Sequence, residues 1–171
     1  MRGFARRLAR LTISLSAVGA LLACANPTQI APGTPFNQVE AQMGQPNFEC
    51  VRPDGTRRVI WTMQPAGQFA WGADVLPDGR IDQMQSILTD AYFKRISLGW
   101  TADQVRCEFG PPANISGVGL PSVRETVWAY RYKQSGVWNS LMYVYMGRDG
   151  NHVTRFHPGP DPEYDEDRLW R

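Results

Sequence analysis

Residues 30–46, IAPGTPFNQVEAQMGQP, and residues 96–112, ISLGWTADQVRCEFGPP, are two copies of one segment set 66 residues apart. Six of the 17 positions are identical: Ile30/Ile96, Gly33/Gly99, Gln38/Gln104, Val39/Val105, Gly44/Gly110 and Pro46/Pro112. Usual residue frequencies would supply about one. Trp61 and Trp128 continue the alignment with a shift of one, and Asp78-Gly79 and Asp149-Gly150 with a shift of a few more. Loops of unequal length give that drift. A repeat of this kind means that one supersecondary unit is built twice. A unit of about 65 residues is short for an isolated domain, so two packed together gain by sharing a core.

The repeated segment encodes a helix with a defined start and stop. Thr34 before Pro35 reads as an N-cap followed by a first-turn proline. Thr101 reads as the second N-cap, with Asp103 favourable near the positive end of the helix dipole. Phe36, Val39 and Met43 fall on one face, as do Ala102, Val105 and Phe109. Gly44 and Gly110 supply the positive φ that ends a helix, and Pro46 and Pro112 prevent its renewal. Helices are therefore predicted over 35–43 and 101–109. None of these positions is a catalytic group.

Three strands are predicted after each helix. In the first unit they are 58–64, 68–76 and 80–88; in the second, 125–133, 137–146 and 151–157. Phe69, Trp71, Ala73 and Val75 alternate with Ala70, Gly72, Asp74 and Leu76. Asp-Gly between strand-like runs is a strong hairpin signal. Residues 89–95 read as a short helix leading into the second unit. The fold class is α+β: two tandem α-α-β-β-β repeats, with antiparallel meander sheets and short helices packed on one face. The organisation is 1–23 as a signal peptide, 24–29 as a linker, 30–95 and 96–157 as the two repeats, and 158–171 as an acidic, proline-rich tail.

The first 23 residues have four arginines and no acid, then a short apolar run, LTISLSAVGALL, ending at Ala23-Cys24. This is the layout of a secretory signal peptide. A run of 12 residues is short of the roughly 20 needed to span a bilayer. Leu21-Leu22-Ala23-Cys24 resembles a bacterial lipobox, which implies lipidation of Cys24. Acyl chains bury about 0.8 kcal/mol per CH₂, so more than one chain anchors stably. Ala25, rather than aspartate, after the cysteine implies the outer membrane, with the protein facing the periplasm. Without residues 1–23 the chain carries 14 basic and 16 acidic side chains, a balance that disfavours nucleic-acid binding. The compartment permits a disulfide between Cys50 and Cys107, the alternative being two buried thiols.

The spacing Gly-x₄-Gln-Val-x₄-Gly-x-Pro, followed by a Trp-x-Tyr strand and a Gly-turn hairpin, resembles the small outer-membrane lipoproteins of the BamE/SmpA/OmlA type. The second unit carries Gly99, Thr101, Gln104, Val105, Gly110, Pro112, Trp128 and Tyr130. The first keeps Gly33, Gln38, Val39, Gly44, Pro46 and Trp61, with Pro35 and Met63 where the family has Thr and Tyr. The resemblance spans about residues 30–157 and implies a role beside the outer-membrane β-barrel assembly machinery. Two units instead of one depart from that pattern. The tandem also resembles the β-lactamase inhibitory protein, where joined sheets form a concave protein-binding surface.

Other site chemistries find little support. There is no Gly-rich phosphate loop and no Gly-x-Ser-x-Gly elbow. His152 and His157 are the only histidines and are expected on opposite strand faces. The run Asp161, Glu163, Asp165, Glu166 and Asp167 lacks the spacing of a calcium loop and reads as a solvated tail. No cofactor, metal or catalytic group is assigned, and the chain reads as a non-enzyme. What stands above composition is Trp and Tyr on strands. Residues 137–146 are apolar or aromatic on both sides, so one side needs cover from the other unit or from a partner. Arg131, Trp138, Tyr143 and Tyr145 are the candidate contact residues for an envelope protein of unknown identity. A periplasmic enzyme inhibitor or ligand-binding module is the alternative.

Overall fold

The computed structural model describes residues 26–164. The expectations for the signal segment, for Cys24 and for residues 165–171 lie outside the described residues. The first half contains helix α1 (Phe36–Met43) and strands β1 (Phe48–Val51), β2 (Arg57–Thr62), β3 (Ala70–Val75) and β4 (Gln85–Ser86). A one-turn helix, α2 (Asp90–Phe93), leads into α3 (Ala102–Phe109). Strands β5 (Asn114–Val118), β6 (Glu125–Gln134), β7 (Trp138–Tyr145) and β8 (Arg155–Pro160) complete the second half. Each half forms one four-stranded antiparallel sheet in sequence order, β1-β2-β3-β4 and β5-β6-β7-β8.

The two halves are tied up in the same way. Gly33 N–H donates to the Ile81 carbonyl at 2.8 Å, and Gly99 N–H to the Val153 carbonyl at 2.7 Å. Ile81 N–H donates to Thr34 and Val153 N–H to Trp100; Phe36 N–H donates to Gly79 and Ala102 N–H to Asn151. The segment before each helix is thus laced to the turn after the third strand. Gly44 and Gly110 stop the helices at φ 76° and 77°, each donating its N–H four residues back, to Glu40 and Arg106. A strand aromatic then holds each stop: Trp61 Nε1 donates to the Gly44 carbonyl and Tyr130 Oη to the Gly110 carbonyl.

Several boundaries differ from the sequence reading. Each sheet has four strands, not three, because β1 and β5 intervene between the helix stop and the first expected strand. The expected strand over 80–88 shrinks to Gln85–Ser86, with a bridge between Val75 and Ile81 beside it. The expected strand at 151–157 is shifted to Arg155–Pro160, overlapping it at 155–157 and running three residues into the expected irregular tail. Prolines 158 and 160 are tolerated there because β8 is an edge strand. Thr34 is not an N-cap: Pro35 occupies that position, and the Thr34 hydroxyl donates to the Ala31 carbonyl. Thr101 does cap α3, in a reciprocal box with Gln104.

The helices do not all lie on one face of their own sheet. Val39 of α1 shares a buried cluster with Val59, Trp61, Ala73 and Ile81, on one side of the first sheet. The opposite side of that sheet presents Ile60 and Ala70 to a second cluster, with Phe93, Val105, Phe109 and the second sheet's Tyr130 and Tyr132. Helices α2 and α3 therefore sit between the two sheets. Phe93 stacks on Phe109 at 5.1 Å and meets Tyr132 edge-on at 5.0 Å. The larger core is shared by both halves, as units this short require.

Candidate protein-binding surface

Strand register decides which aromatics are structural. Trp128 pairs with Val144 and Tyr130 with Met142, so these four point to one side of the second sheet. All four are buried in the shared core. Thus one apolar side of β7 receives its cover from the other half of the chain. Burial also holds the Tyr130 phenol well above its ordinary pKa.

The other side carries Val127, Ala129 and Arg131 on β6, Leu141, Tyr143 and Tyr145 on β7, and Arg155, His157 and Gly159 on β8, with Val127, Ala129 and Leu141 buried and Tyr143 and Tyr145 half-buried. Its aromatic groups form a strip. The His157 ring lies 5.7 Å from Tyr143 and 5.4 Å from Tyr145. Arg155 covers Tyr145 with its guanidinium 3.6 Å from the ring centroid. His157 Nε2 is 3.1 Å from Tyr145 Oη, and Nδ1 is 3.1 Å from the Pro158 carbonyl. The Tyr143 ring lies across Gly159, where an added Cβ would come within 2.9 Å of it. Partial burial, then the charge of Asp161, raises the Tyr143 pKa. The strip offers stacking area and polar tips held in place beforehand, which suits a protein contact.

At the opposite end of this face the chain covers itself. Arg131 is paired with Asp161 at 3.4 Å and with Glu163. Asp161 is 2% exposed, so this part of the acidic run is not a solvated tail. Burial works against the Arg131 charge, but the hydrogen bond to Glu163 and the Asp161 charge outweigh it and raise its pKa. The first half reaches the same end. Gln64 donates to the Arg131 carbonyl and accepts from its N–H, at 2.9 and 3.2 Å. Gln68 donates to Asn139. Arg131 is therefore an internal clasp, which corrects its reading as an open contact residue. Trp138 is 69% exposed but sits at the hairpin end with the parity of the core side. The structure brings Tyr143 and Tyr145 together on one face and places Trp138 apart from them. His157 joins the site although it was not among the contact residues expected from the sequence. His152 is elsewhere, 3.2 Å from Asp149.

A buried polar network joins the two halves. Arg58 on β2 is 2% exposed and donates to Asp74 at 3.2 Å and to Tyr92 Oη at 2.7 Å. Tyr92 Oη donates in turn to Glu108 at 2.6 Å. Arg52 and Arg95 also donate to Glu108, at 2.8 and 3.1 Å. Burial is the main reason that the Tyr92 pKa is pushed up to about 12. Beside this network Cys50 and Cys107 form a disulfide, with Cα atoms 5.7 Å apart. It links β1 of the first half to α3 of the second. The sequence left that pairing open. The network itself had no signal in the sequence, because its members come from five separate segments. Its carboxylates and the Tyr92 hydroxyl all have partners, while Arg52 Nε and Arg58 Nε are buried without a hydrogen bond; it reads as a structural joint. Among the described residues, no group of three or more His, Cys, Asp or Glu is placed to hold a metal ion. No family model, curated protein or solved structure matches this chain.

Proposed function

We propose that this chain is a non-catalytic, lipid-anchored protein of the outer membrane. In this reading it faces the periplasm and binds an envelope protein through the outer side of its second sheet. One observation carries the reading: the Tyr143–His157–Tyr145–Arg155 strip is preassembled on a sheet face whose opposite side is already committed to the core. Tyrosine and arginine are the side chains that binding hot spots favour. The halves share a helix, a positive-φ stop and a meander. That pattern supports a tandem of the BamE/SmpA/OmlA-type unit and, with it, a role in outer-membrane protein assembly.

The anchor and the surface are tested separately. Mass spectrometry of the mature protein should find a lipid-modified Cys24 and no residues 1–23. An intact Met1 terminus in the envelope fraction would remove the anchor from the account. Affinity capture from detergent-solubilised envelopes should recover a membrane-assembly partner with the wild-type chain and lose it with Tyr145→Ala. Tyr145-dependent capture of a soluble hydrolase would favour the inhibitor reading instead.

A further inference from the structure

We infer that the end of the molecule formed by two hairpin tips, residues 63–69 and 134–138, rests in the headgroup boundary of a lipid bilayer, with Met63, Phe69, Val137 and Trp138 as the contact side chains. The inference rests on the lipid anchor proposed at Cys24 and uses neither the aromatic strip nor its partner. The two tips belong to different halves and are held together. Gln64 bonds both backbone groups of Arg131, and Gln68 donates to Asn139, the neighbour of Trp138. Met63, Phe69, Val137 and Trp138 are 43–69% exposed, a group of large apolar side chains that asks for an apolar partner.

The chemistry of this end differs from that of the other. Residues 63–69, MQPAGQF, and 134–139, QSGVWN, contain no charged side chain. The turns at the opposite ends of the same strands, RPDGT at 52–56, LPDGR at 76–80 and RDGNH at 148–152, each carry both signs. Val118, Leu120 and Val123 are also exposed, but at that charged end, beside Arg124 and Arg148. Lys133, next to the second tip, turns its ammonium onto Asn139 and the Val137 carbonyl. Bringing charge to the hydrocarbon is costly, whereas tryptophan at headgroup level is favoured.

The chain leading back to Cys24 starts from this side. Thr62 pairs with Ala70, and Met63 N–H donates to the Phe69 carbonyl, so Met63 and Phe69 face each other across the hairpin. Alternation puts them on the same side as Trp61 and Trp71, two residues or about 7 Å further along. Ile30 is buried in the cluster that contains Trp61 and against which Trp71 packs. Cys24 stands six residues before Ile30, within about 20 Å along the chain, and residues 26–35 carry no charge. A lipid on Cys24 therefore tethers this face at the bilayer, and the uncharged tips are the part of it suited to enter the boundary. Tyr145 is seven residues along β7 from Trp138, about 23 Å away, which keeps Tyr145 and Arg155 clear of the lipid.

The probe is a vesicle of phosphatidylcholine, with or without lipid that carries a nitroxide at the headgroup boundary, holding the full mature chain. A fluorescent reporter is attached to Ala66→Cys, at the first tip, and in a separate chain to Asp54→Cys, at the charged end. Cys24 is blocked by its lipid, and Cys50 and Cys107 by their bond, so the new thiol alone reacts. The nitroxide lipid should strip emission from the reporter at 66 and leave the one at 54 unchanged. Adding Phe69→Asp and Trp138→Asp to the Ala66→Cys chain should restore the emission, because charge is driven out of the boundary. Both side chains are exposed, so the melting temperature should hold. No quenching at 66, equal quenching at 66 and 54, or quenching that survives the two aspartates would each overturn the inference. So would a reporter at 66 that is shielded from water, unquenched, and shielded further as the chains are packed more densely, which would make a second copy of this chain the occupant. A chain whose Cys24 takes up the reporter has no lipid, and the anchor then falls with this inference. A lipid-bearing chain with an unquenched tip leaves the anchor standing and removes this inference alone.

Discussion

Arg58 shows how much one residue pair can carry. Its guanidinium lies flat against Gly72 on the neighbouring strand, and an added Cβ there would sit 2.6 Å from Nη2. Gly72 is thus required by the side chain beside it. Gly72→Ala should displace Arg58 from Asp74 and Tyr92 and destabilise the fold by about 3 kcal/mol, readable in a denaturant melt. Tyr92→Phe removes the hydroxyl that accepts from Arg58 and donates to Glu108, leaving both buried groups short of a partner. A loss of about 1–3 kcal/mol is expected. The same tyrosine imposes a pH dependence. Its pKa is raised from 10.0 to about 12 in the folded state, and Tyr132 and Tyr143 are raised too. Above pH 10 the unfolded chain releases phenolic protons that the native chain retains, so native stability is complete below pH 10 and declines toward 12. Melting temperatures should fall across that window, with tyrosinate absorbance appearing as the chain unfolds. Stability that is flat to pH 12 would contradict the burial of these phenols.

At the scale of elements, legibility followed local chemistry. Both repeat helices were legible because stop glycines and following prolines act on the backbone where they stand. The strands with two-faced patterning, such as β3, were legible for the same reason. β1 and β5 were not. β1 is only four residues long, too short for its alternation of half-buried and exposed residues to stand out, and every residue of β5 is exposed, so β5 shows none. Pro158 and Pro160 argued against a strand that edge position permits. The caps give a paired prediction. Thr101→Ala removes the capping box of α3 and should cost about 1 kcal/mol. Thr34→Ala loses only an exposed hydroxyl bond to Ala31 and should cost at most a few tenths. Equal losses from the two in thermal melts would mean that the first helix is capped by Thr34 after all.

For the whole molecule, the decisive contacts run between the halves, and sequence spacing hardly reports them. Which aromatic points to the core was legible only as a parity: residues 137–146 have two apolar sides, but only the assembled structure shows which one α2, α3 and the first sheet cover. Arg131 was misread for the same reason, since its partners Asp161, Glu163 and Gln64 arrive from distant segments. The Cys50–Cys107 bond spans 57 residues of chain and joins the halves directly. Replacing both cysteines with Ser should lower stability by about 2–4 kcal/mol, measured against the oxidised wild type by urea unfolding. Leaving the aromatic strip in place, the double variant should still bind its partner wherever it remains folded.

In the proposed function the outer strip of the second sheet docks a partner and stands outside the core. Tyr145→Ala tests it most directly when its melting temperature is read beside its capture of the envelope partner. A melting temperature within a few degrees of wild type is expected, together with a loss of affinity of about 2 kcal/mol or more. A large drop in melting temperature with unchanged capture would contradict it.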